Sequence, residues 1–435
     1  MAPEFIWCCF FLKRKRSLMV LVEIGYYGGE SMLTAVLQDG TRISMADKWF
    51  ESELMDLRKK QQFKCPVCNA GVTLKLGSKR QWHFAHHTKH TCRISLEPES
   101  PYHLKGKLDI YHWLINQGIK ASLEMYLPLI QQRPDVLCKV EGKLYAIEYQ
   151  CSPLSEELFF ERTMGYRRMG ITPIWILGGN RLRRKQAEQY HLLGFEWNTS
   201  RLNRLEQMYV TYYCSETQLW AFLFELQSYS TNGALARLSY KRQNTLSIED
   251  LLYPRDIAPY QYKSWLNIKK SWRYQGFQSY PSKSQIRFSK WLYQKKIPLG
   301  QFPAEAGWFL SIQHQIKTAP HIWQTILLIK TFHLLPLNQM IEQHVLESNI
   351  TTFVMNGTII FRNHQVLDLN ELISQMVFEY CQLLLAFGMI KKLNHTDYLY
   401  IKPVSLPKSV DQANQMDQNL SNLRQNTPNI LHIQR

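Results

Sequence analysis

The chain has 435 residues, 45% of them hydrophobic, and this combination predicts several folded domains. The formal net charge of +17 at pH 7 favours a polyanionic partner such as nucleic acid. Nine cysteines in a chain of this length do not indicate a secreted disulfide framework, and the sequence has no transmembrane span, so we expect a cytoplasmic protein.

The first 31 residues are set apart from the rest. Their apolar run, Phe5 to Leu12, precedes the basic cluster Lys13 to Arg16, whereas a signal peptide has its basic residues first. We interpret residues 1–31 as an N-terminal extension without an assigned function, with Met19 and Met32 as alternative starts.

A cluster of cysteines and histidines follows. Cys65 and Cys68 are separated by two residues, a spacing typical of one half of a tetrahedral zinc site, and two later imidazoles can complete the four ligands. The candidates for the second half are His83, His86, His87, His90 and Cys92. Four protein ligands leave no open position, so we predict a structural Zn²⁺ in a small β-rich module. Free structural thiols and a redox pair are the alternatives, although a redox pair lacks its usual βαβ surroundings here.

The next segment predicts a helix and a strand. Ser100 and Pro101 are a good helix start, and apolar residues recur at helical spacing from Tyr102 to Gln117. A strand from Lys120 to Met125 follows and carries Glu124. His103 and Lys107 lie one turn apart on the same face of this helix.

A β-hairpin is predicted next, from Val136 to Gln150 with its turn at Glu141 and Gly142. A turn at this position places Asp135 opposite Glu148, with Cβ atoms about 4.5–5.5 Å apart. Carboxylates between apolar strands need a partner, and one Mg²⁺ or Mn²⁺ is the simplest. The alternative is an exposed hairpin whose two carboxylates are solvated.

The hairpin is followed by a helix capped by Ser155, with Arg162 and Tyr166 on one side of it, and by a buried strand, Thr172 to Leu177. The order helix, strand, hairpin, helix, strand predicts an α/β core with Asp135 and Glu148 near its middle.

Taken together, these segments resemble the competence protein CoiA family, whose core is similar to PD-(D/E)xK nucleases. The resemblance covers about residues 33–180 and depends on six segments: Leu33-Thr34-Ala35, Cys65-Pro66-Val67-Cys68, His83-Phe84-Ala85-His86, Arg133-Pro134-Asp135, Glu148-Tyr149-Gln150-Cys151-Ser152, and the helix with Arg162 and Tyr166 that leads into Ile174-Trp175-Ile176-Leu177. It implies a restriction-endonuclease-like α/β core and a role in processing or recombining internalised DNA during natural transformation.

The resemblance also implies roles for individual residues. Asp135 and Glu148 become ligands of Mg²⁺ or Mn²⁺, Gln150 becomes the third motif position, and His103 and Glu124 are further catalytic candidates. The implied zinc ligands are two thiolates and two imidazoles: Cys65, Cys68, His83 and His86. His87 and Cys92 remain alternatives.

Gln150 departs from the broader nuclease pattern, which has a lysine at this position. A lysine can orient water and adds positive charge near the phosphate, whereas glutamine can only orient. Three other lysines are candidates for the missing charge: Lys105, Lys107 and Lys143. A DNA-binding recombination mediator that has lost catalysis is therefore the alternative to a metal-dependent nuclease.

Residues 257–304 contain no Asp or Glu, and their lysines and arginines alternate with aromatic residues. Such a pattern is typical of single-stranded DNA binding, but Trp265, Ile268 and Trp272 have helical spacing and equally fit the core of a helical domain. Long amphipathic helices follow at 321–335 and 367–387, with a strand-like hairpin at 351–362 between them. Residues 407–435 are rich in Asn, Gln and Ser and predict a disordered tail.

The predicted architecture has five parts. After the extension come a zinc-binding β module at residues 32–96 and a nuclease-like α/β domain at 97–185. A mainly α-helical C-terminal region at 186–406 and the disordered tail complete the chain. The expected partner is DNA, single-stranded or in recombination intermediates, together with recombination proteins.

Overall fold

The computed structural model describes residues 31–78, 81–87, 92, 99–205, 207–255, 263–274, 281–362 and 368–425. The chain divides into two compact units. The first comprises the chain up to Arg184 with Phe195–Phe224 and Leu238–Asp256; the second comprises Lys185–Gly194, Glu225–Arg237 and Ile257–Arg435. The predicted N-terminal extension lies outside the described residues, apart from Ser31.

An antiparallel sheet forms the N-terminal part of the first unit. Its elements are β1 (Ser31–Met32), β2 (Thr34–Val36), β3 (Arg42–Ser44), helix α1 (Glu51–Lys60), β4 (Phe63–Lys64), β5 (Gly71–Lys75) and β6 (His83–His86). The strand order is β1-β6-β5-β4-β2-β3. A small β-rich module therefore lies where the sequence predicts one.

A mixed sheet with helices follows. The elements in chain order are α2 (Pro101–Asn116), β7 (Lys120–Leu123), β8 (Val136–Val140), β9 (Lys143–Gln150), α3 (Glu156–Arg168), β10 (Thr172–Gly178), β11 (Gln189–His191), α4 (Gly194–Asn198), β12 (Arg201–Leu202), β13 (Met208–Cys214), β14 (Leu219–Ser228), β15 (Gly233–Arg242) and α5 (Ile248–Leu252). Strands β7, β8 and β9 pair antiparallel, whereas β10 pairs parallel with both β9 and β13. The predicted order of helix, strand, hairpin, helix and strand is the order observed.

The β8–β9 hairpin has the predicted register. Val136 pairs with Ile147 and Val140 with Lys143. Glu141 and Gly142 have φ angles of 48° and 82°, the positive values that a two-residue hairpin turn requires. The turn therefore sets the register locally, and Asp135 precedes β8 at the level of Glu148.

The sheet continues beyond residue 185, where the sequence analysis predicted a mainly helical region. Strand β13 is an aromatic and β-branched run that pairs with the end of β10, with Leu177 opposite Tyr212. Strand β10 is distant from β13 in the chain, so the local sequence of β13 does not reveal the partner with which it pairs.

The second unit is mainly helical in its later part. Its described elements from residue 263 onwards are α6 (Lys263–Tyr274), α7 (Lys283–Gln294), α8 (Pro320–Leu327), β16 (Met340–Glu342), α9 (Gln343–Met355), α10 (Leu369–Ala386), β17 (Ile390–Lys392), β18 (Asp397–Tyr400) and α11 (Val410–Gln425). The hairpin predicted at 351–362 is wrong, because α9 extends to Met355. The tail predicted to be disordered contains α11, and its last ten residues lie outside the described residues.

Two cations of the acid-free stretch are buried. Lys269 is 0% exposed and Arg273 is 4% exposed, and both pair with Asp417 of α11 at 2.9 and 2.7 Å. Trp265 is also buried. These three residues therefore belong to the core of a helical domain, because buried groups cannot reach DNA in the folded state. Residues 257–262 and 275–280 of the stretch lie outside the described part.

The described helices include none that is both long enough and apolar enough to span a membrane.

Candidate functional site

Asp135 lies at the entrance to β8, between the hairpin and helix α2. Its Oδ2 accepts a hydrogen bond from the Tyr149 backbone N–H at 2.8 Å and lies 3.4 Å from His103 Nε2. Its Oδ1 lies 3.5 Å from Lys107 Nζ. Burial opposes ionisation of Asp135, but the charges of Lys107 and His103 outweigh burial and hold its pKa well below the usual value. Asp135 is therefore a carboxylate over the whole physiological range.

Glu148 lies on β9 and is held by helix α3. Its Oε1 accepts hydrogen bonds from Arg162 at 2.5 Å and from the Tyr166 hydroxyl. Burial raises the pKa of Glu148 to about 7; Arg162 opposes this shift and Asp135 adds to it. The two carboxylates that the hairpin brings to one level thus differ in protonation near neutral pH.

Helix α2 supplies two side chains that contact the Asp135 carboxylate, His103 and Lys107. His103 and Lys107 are one turn apart on α2; burial lowers the pKa of His103, but Asp135 and Glu99 together raise it above the usual value. Gly106, between them, permits the close approach, since a Cβ there would lie 2.0 Å from the Tyr149 ring. The sequence analysis predicted the shared face; the contact with Asp135 comes from this packing.

Glu124 lies behind Asp135. Its Oε1 accepts a hydrogen bond from Lys107 Nζ at 2.5 Å, and its Oε2 accepts hydrogen bonds from the Leu33 and Thr34 backbone N–H groups at 2.9 and 3.2 Å. Burial alone would raise its pKa, but Lys107 and Arg133 lower it. Both oxygens of Glu124 thus accept hydrogen bonds, whereas Asp135 and Glu148 each keep one oxygen that accepts none from the described residues.

The third motif position makes a local contact. Gln150 Nε2 donates hydrogen bonds to the carbonyl of Ser152 at 3.1 Å and to its hydroxyl at 3.3 Å. Of the three lysines considered as substitutes, Lys107 is the one that the structure places beside Asp135. Lys105 instead bonds Asp109 at 2.7 Å, and Lys143 pairs with Val140 at the exposed end of the hairpin.

The carboxylates retain oxygens suited to a hard cation. Both hydrogen bonds to Glu148 from the described residues converge on Oε1, and Oδ1 of Asp135 has Lys107 beside it at 3.5 Å without a hydrogen bond in the described part. Oxygen donors of this kind match the preference of Mg²⁺ and Mn²⁺. The residues present therefore fit a divalent cation at Asp135 and Glu148.

A second cluster lies in the N-terminal module. The ligand atoms of four residues all lie within 4.8 Å of one another: Cys65, Cys68, His86 and Cys92. Cys68 Sγ and His86 Nε2 are 3.4 Å apart. Three sulfurs and one imidazole are a ligand set that could bind a metal ion such as zinc.

His83, the fourth implied zinc ligand, is replaced in this cluster by Cys92. His83 and His86 are three residues apart on strand β6, so their side chains project from opposite faces. His83 Nδ1 instead lies 2.8 Å from the Gln81 carbonyl oxygen. A strand prediction for residues 83–86 would have excluded His83 and His86 as ligands of the same ion. Cys92 was already an alternative ligand in the sequence. His90 lies outside the described residues.

Glu99 is a residue near the site that the sequence did not predict. It lies next to the helix start and bonds Lys107 Nζ at 2.7 Å. Arg133, which precedes the motif Asp, lies 3.9 Å from both Glu99 and Glu124. The position of Glu99 two residues before Pro101 was the only sequence signal for it.

A carboxylate pair on the β8–β9 hairpin of a mixed α/β sheet, together with an N-terminal Cys/His cluster that could hold a metal ion, fits a nuclease-like protein. Three family models match the chain, described as Competence protein CoiA, N-terminal domain (residues 46–95), nuclease-like domain (99–256) and C-terminal domain (260–413). The chain belongs to the competence protein CoiA family.

A curated relative supports this assignment. The protein named Competence protein CoiA from Bacillus subtilis (strain 168) is 28% identical over 348 residues, which cover 79% of this chain and 91% of the relative. No solved structure matches the chain. The nuclease-like family domain extends to residue 256, beyond the boundary predicted at 185, in agreement with the continuation of the sheet.

Proposed function

We propose that this protein is a cytoplasmic, competence-associated DNA-processing protein that acts on internalised DNA during natural transformation and recombination. In this proposal it is a Mg²⁺- or Mn²⁺-dependent nuclease with a restriction-endonuclease-like, PD-(D/E)xK-type core. The observation that carries the proposal is the placement of Asp135 and Glu148 at one level of the β8–β9 hairpin, each with one oxygen that accepts no hydrogen bond from the described residues.

The protein's own residues prepare this site for a phosphodiester. The Tyr149 N–H and His103 orient Asp135, while Arg162 and Tyr166 orient Glu148. Fixed hydrogen bonds of this kind hold catalytic groups without reorganisation during the reaction. When bound, a divalent cation would supply Lewis-acid stabilisation of phosphoryl charge and a more acidic water.

For the N-terminal cluster we propose a structural Zn²⁺ held by Cys65, Cys68, His86 and Cys92. The donor set is soft, and four protein ligands complete a tetrahedral site. Burial raises the pKa of the Cys65 thiol to about 12, so occupation by Zn²⁺ would release protons and add folding free energy. Less than about half a zinc per purified chain would contradict the proposed ion.

The test of the nuclease proposal is cleavage of single-stranded, double-stranded and branched DNA with Mg²⁺ or Mn²⁺. Asp135→Asn and Glu148→Gln should each abolish cleavage, because each removes a negative charge from the cation site while nearly preserving volume. Glu141→Gln is the matched control, since it makes the same charge change at the exposed turn of the same hairpin. Wild-type protein that cleaves none of these substrates with either metal would refute the nuclease.

The second candidate is a non-catalytic DNA-binding recombination mediator. Gln150 favours it, because the motif position that usually carries a lysine holds an uncharged amide bonded to Ser152. In this case wild-type protein would bind DNA without cleaving it. A host strain carrying Asp135→Asn would still lose transformation if the carboxylate positions DNA, and would transform normally if Asp135 has no role.

A further inference from the structure

The Lys107 ammonium group is enclosed by carboxylates. Its side chain is 0% exposed, and Nζ lies 2.5 Å from Glu124, 2.7 Å from Glu99 and 3.5 Å from Asp135. Burial disfavours an ammonium ion, yet these carboxylates outweigh burial and raise the pKa of Lys107. Helix α2 therefore delivers an ammonium group, held by carboxylates, to the side of Asp135.

Stability alone is a weak reason for this arrangement. Replacing buried ionic groups together by apolar side chains of similar volume is often neutral or stabilising, because desolvation offsets most of the attraction. The shorter contacts of Lys107, to Glu124 and Glu99, hold the ammonium in place, and the longer one extends to Asp135. Glu124 and Glu99 therefore anchor the ammonium group, and Asp135 is the carboxylate that faces the candidate cation site.

We infer that Lys107 is a positioning residue that supplies from α2 the positive charge that position 150 lacks, and that Glu124 connects it to the N-terminal module. The inference rests on the proposed nuclease function. Lys107 acts through Asp135, by placing positive charge beside the carboxylate that would face the phosphate.

Glu124 provides the connection. Its Oε1 binds Lys107, and its Oε2 accepts from the Leu33 and Thr34 backbone N–H groups and the Thr34 hydroxyl at 2.9, 3.2 and 3.2 Å. The Glu124 backbone N–H also donates to the Asp135 carbonyl at 3.0 Å. The Leu33-Thr34-Ala35 segment thus helps to set the position of Lys107 and, through it, of the candidate catalytic carboxylate.

The decisive experiment removes Lys107 and restores a lysine at position 150. Lys107→Met should lower the rate of DNA cleavage about 10²-fold. The same variant should bind Mn²⁺ at least about tenfold more tightly by calorimetry, because a repulsive charge beside Asp135 is gone. Adding Gln150→Lys to Lys107→Met should recover most of the cleavage rate and return the Mn²⁺ affinity toward the wild-type value.

The control is Lys105→Met on the same helix. Lys105 is partly exposed and bonds Asp109, so its loss should leave cleavage and Mn²⁺ affinity unchanged. If Lys107→Met does not fold, as judged by thermal melting, Lys107→Met with Glu124→Gln removes one charge of each sign. The folded double variant should show the same loss of cleavage and the same rescue by Gln150→Lys.

The outcomes separate the inference from the function it rests on. Cleavage and Mn²⁺ affinity that fall together in Lys107→Met, with no rescue by Gln150→Lys, would show that Lys107 only neutralises its partners and would overturn the inference. Wild-type protein that binds Mn²⁺ without cleaving DNA would refute the nuclease. Tighter Mn²⁺ binding by Lys107→Met would then still support the placement of the Lys107 charge beside Asp135. Wild-type protein that binds no Mn²⁺ would overturn both.

Discussion

Glu148 should make Mn²⁺ binding strongly dependent on pH. Burial raises its pKa to about 7 from an ordinary value of 4.5, so near neutrality a divalent cation competes with a proton for this carboxylate. Because binding requires the ionised form, the Mn²⁺ dissociation constant should rise about tenfold between about pH 8 and pH 6, and about tenfold again to about pH 5. Asp135 is already ionised throughout this range and should not contribute.

Calorimetric titration of the zinc-loaded protein with Mn²⁺, at several pH values, measures this dependence. Tyr166→Phe removes a hydrogen bond that favours ionised Glu148, so it should raise the pKa of Glu148 further and move the curve to higher pH. His103→Gln removes the imidazole whose pKa the Asp135 carboxylate raises, and the Glu148 transition should remain. A dissociation constant that stays constant from about pH 8 to pH 6 would refute this reasoning.

The same shift has a consequence for stability without added Mn²⁺. A carboxyl group whose folded pKa is raised binds its proton more tightly in the folded state, so stability falls as pH rises from about 4.5 to about 7. The span of the shift corresponds to roughly 3 kcal/mol, measured as the difference between wild type and Glu148→Gln in chemical unfolding. An equal pH dependence in both proteins would show that Glu148 ionises without cost.

Three further outcomes are expected. Cys92→Ser should abolish stoichiometric zinc in elemental analysis, whereas His83→Ser should retain it, and the reverse result would restore the ligand set predicted from sequence. Asp417→Asn should destabilise the protein by about 3–5 kcal/mol in urea unfolding, because it leaves buried cations without their carboxylate, whereas removal of the exposed Lys270 side chain should change stability by less than about 0.5 kcal/mol. Gly106→Ala should cost at least about 1–3 kcal/mol, since its Cβ would overlap the Tyr149 ring; an unchanged melting temperature would show that α2 can shift away from β9.

Local signals in the sequence were sufficient for the hairpin and its flanking helices. The Glu141-Gly142 turn determines the register that brings Asp135 to the level of Glu148, and the Ser100 and Ser155 side chains cap α2 and α3 as predicted. These features depend on neighbouring residues and on backbone preferences, so they can be derived without knowledge of the rest of the chain.

The choice among equivalent residues was made only by the tertiary structure. Three lysines were candidates for the charge beside Asp135, and the packing of α2 against β9 selects Lys107. Side-chain alternation on β6 directs His83 away from His86, and the fold brings Cys92 to the cluster instead.

Burial of charge was likewise decided at long range. Lys269 and Arg273 were compatible with a DNA-binding surface in the sequence, but Asp417, in a segment whose composition predicted disorder, pairs with both. A sequence records which groups carry charge, whereas the free energy of a charge depends on whether a partner replaces the water that folding removes. That partner lies 144 residues from Arg273, so no local pattern could identify it.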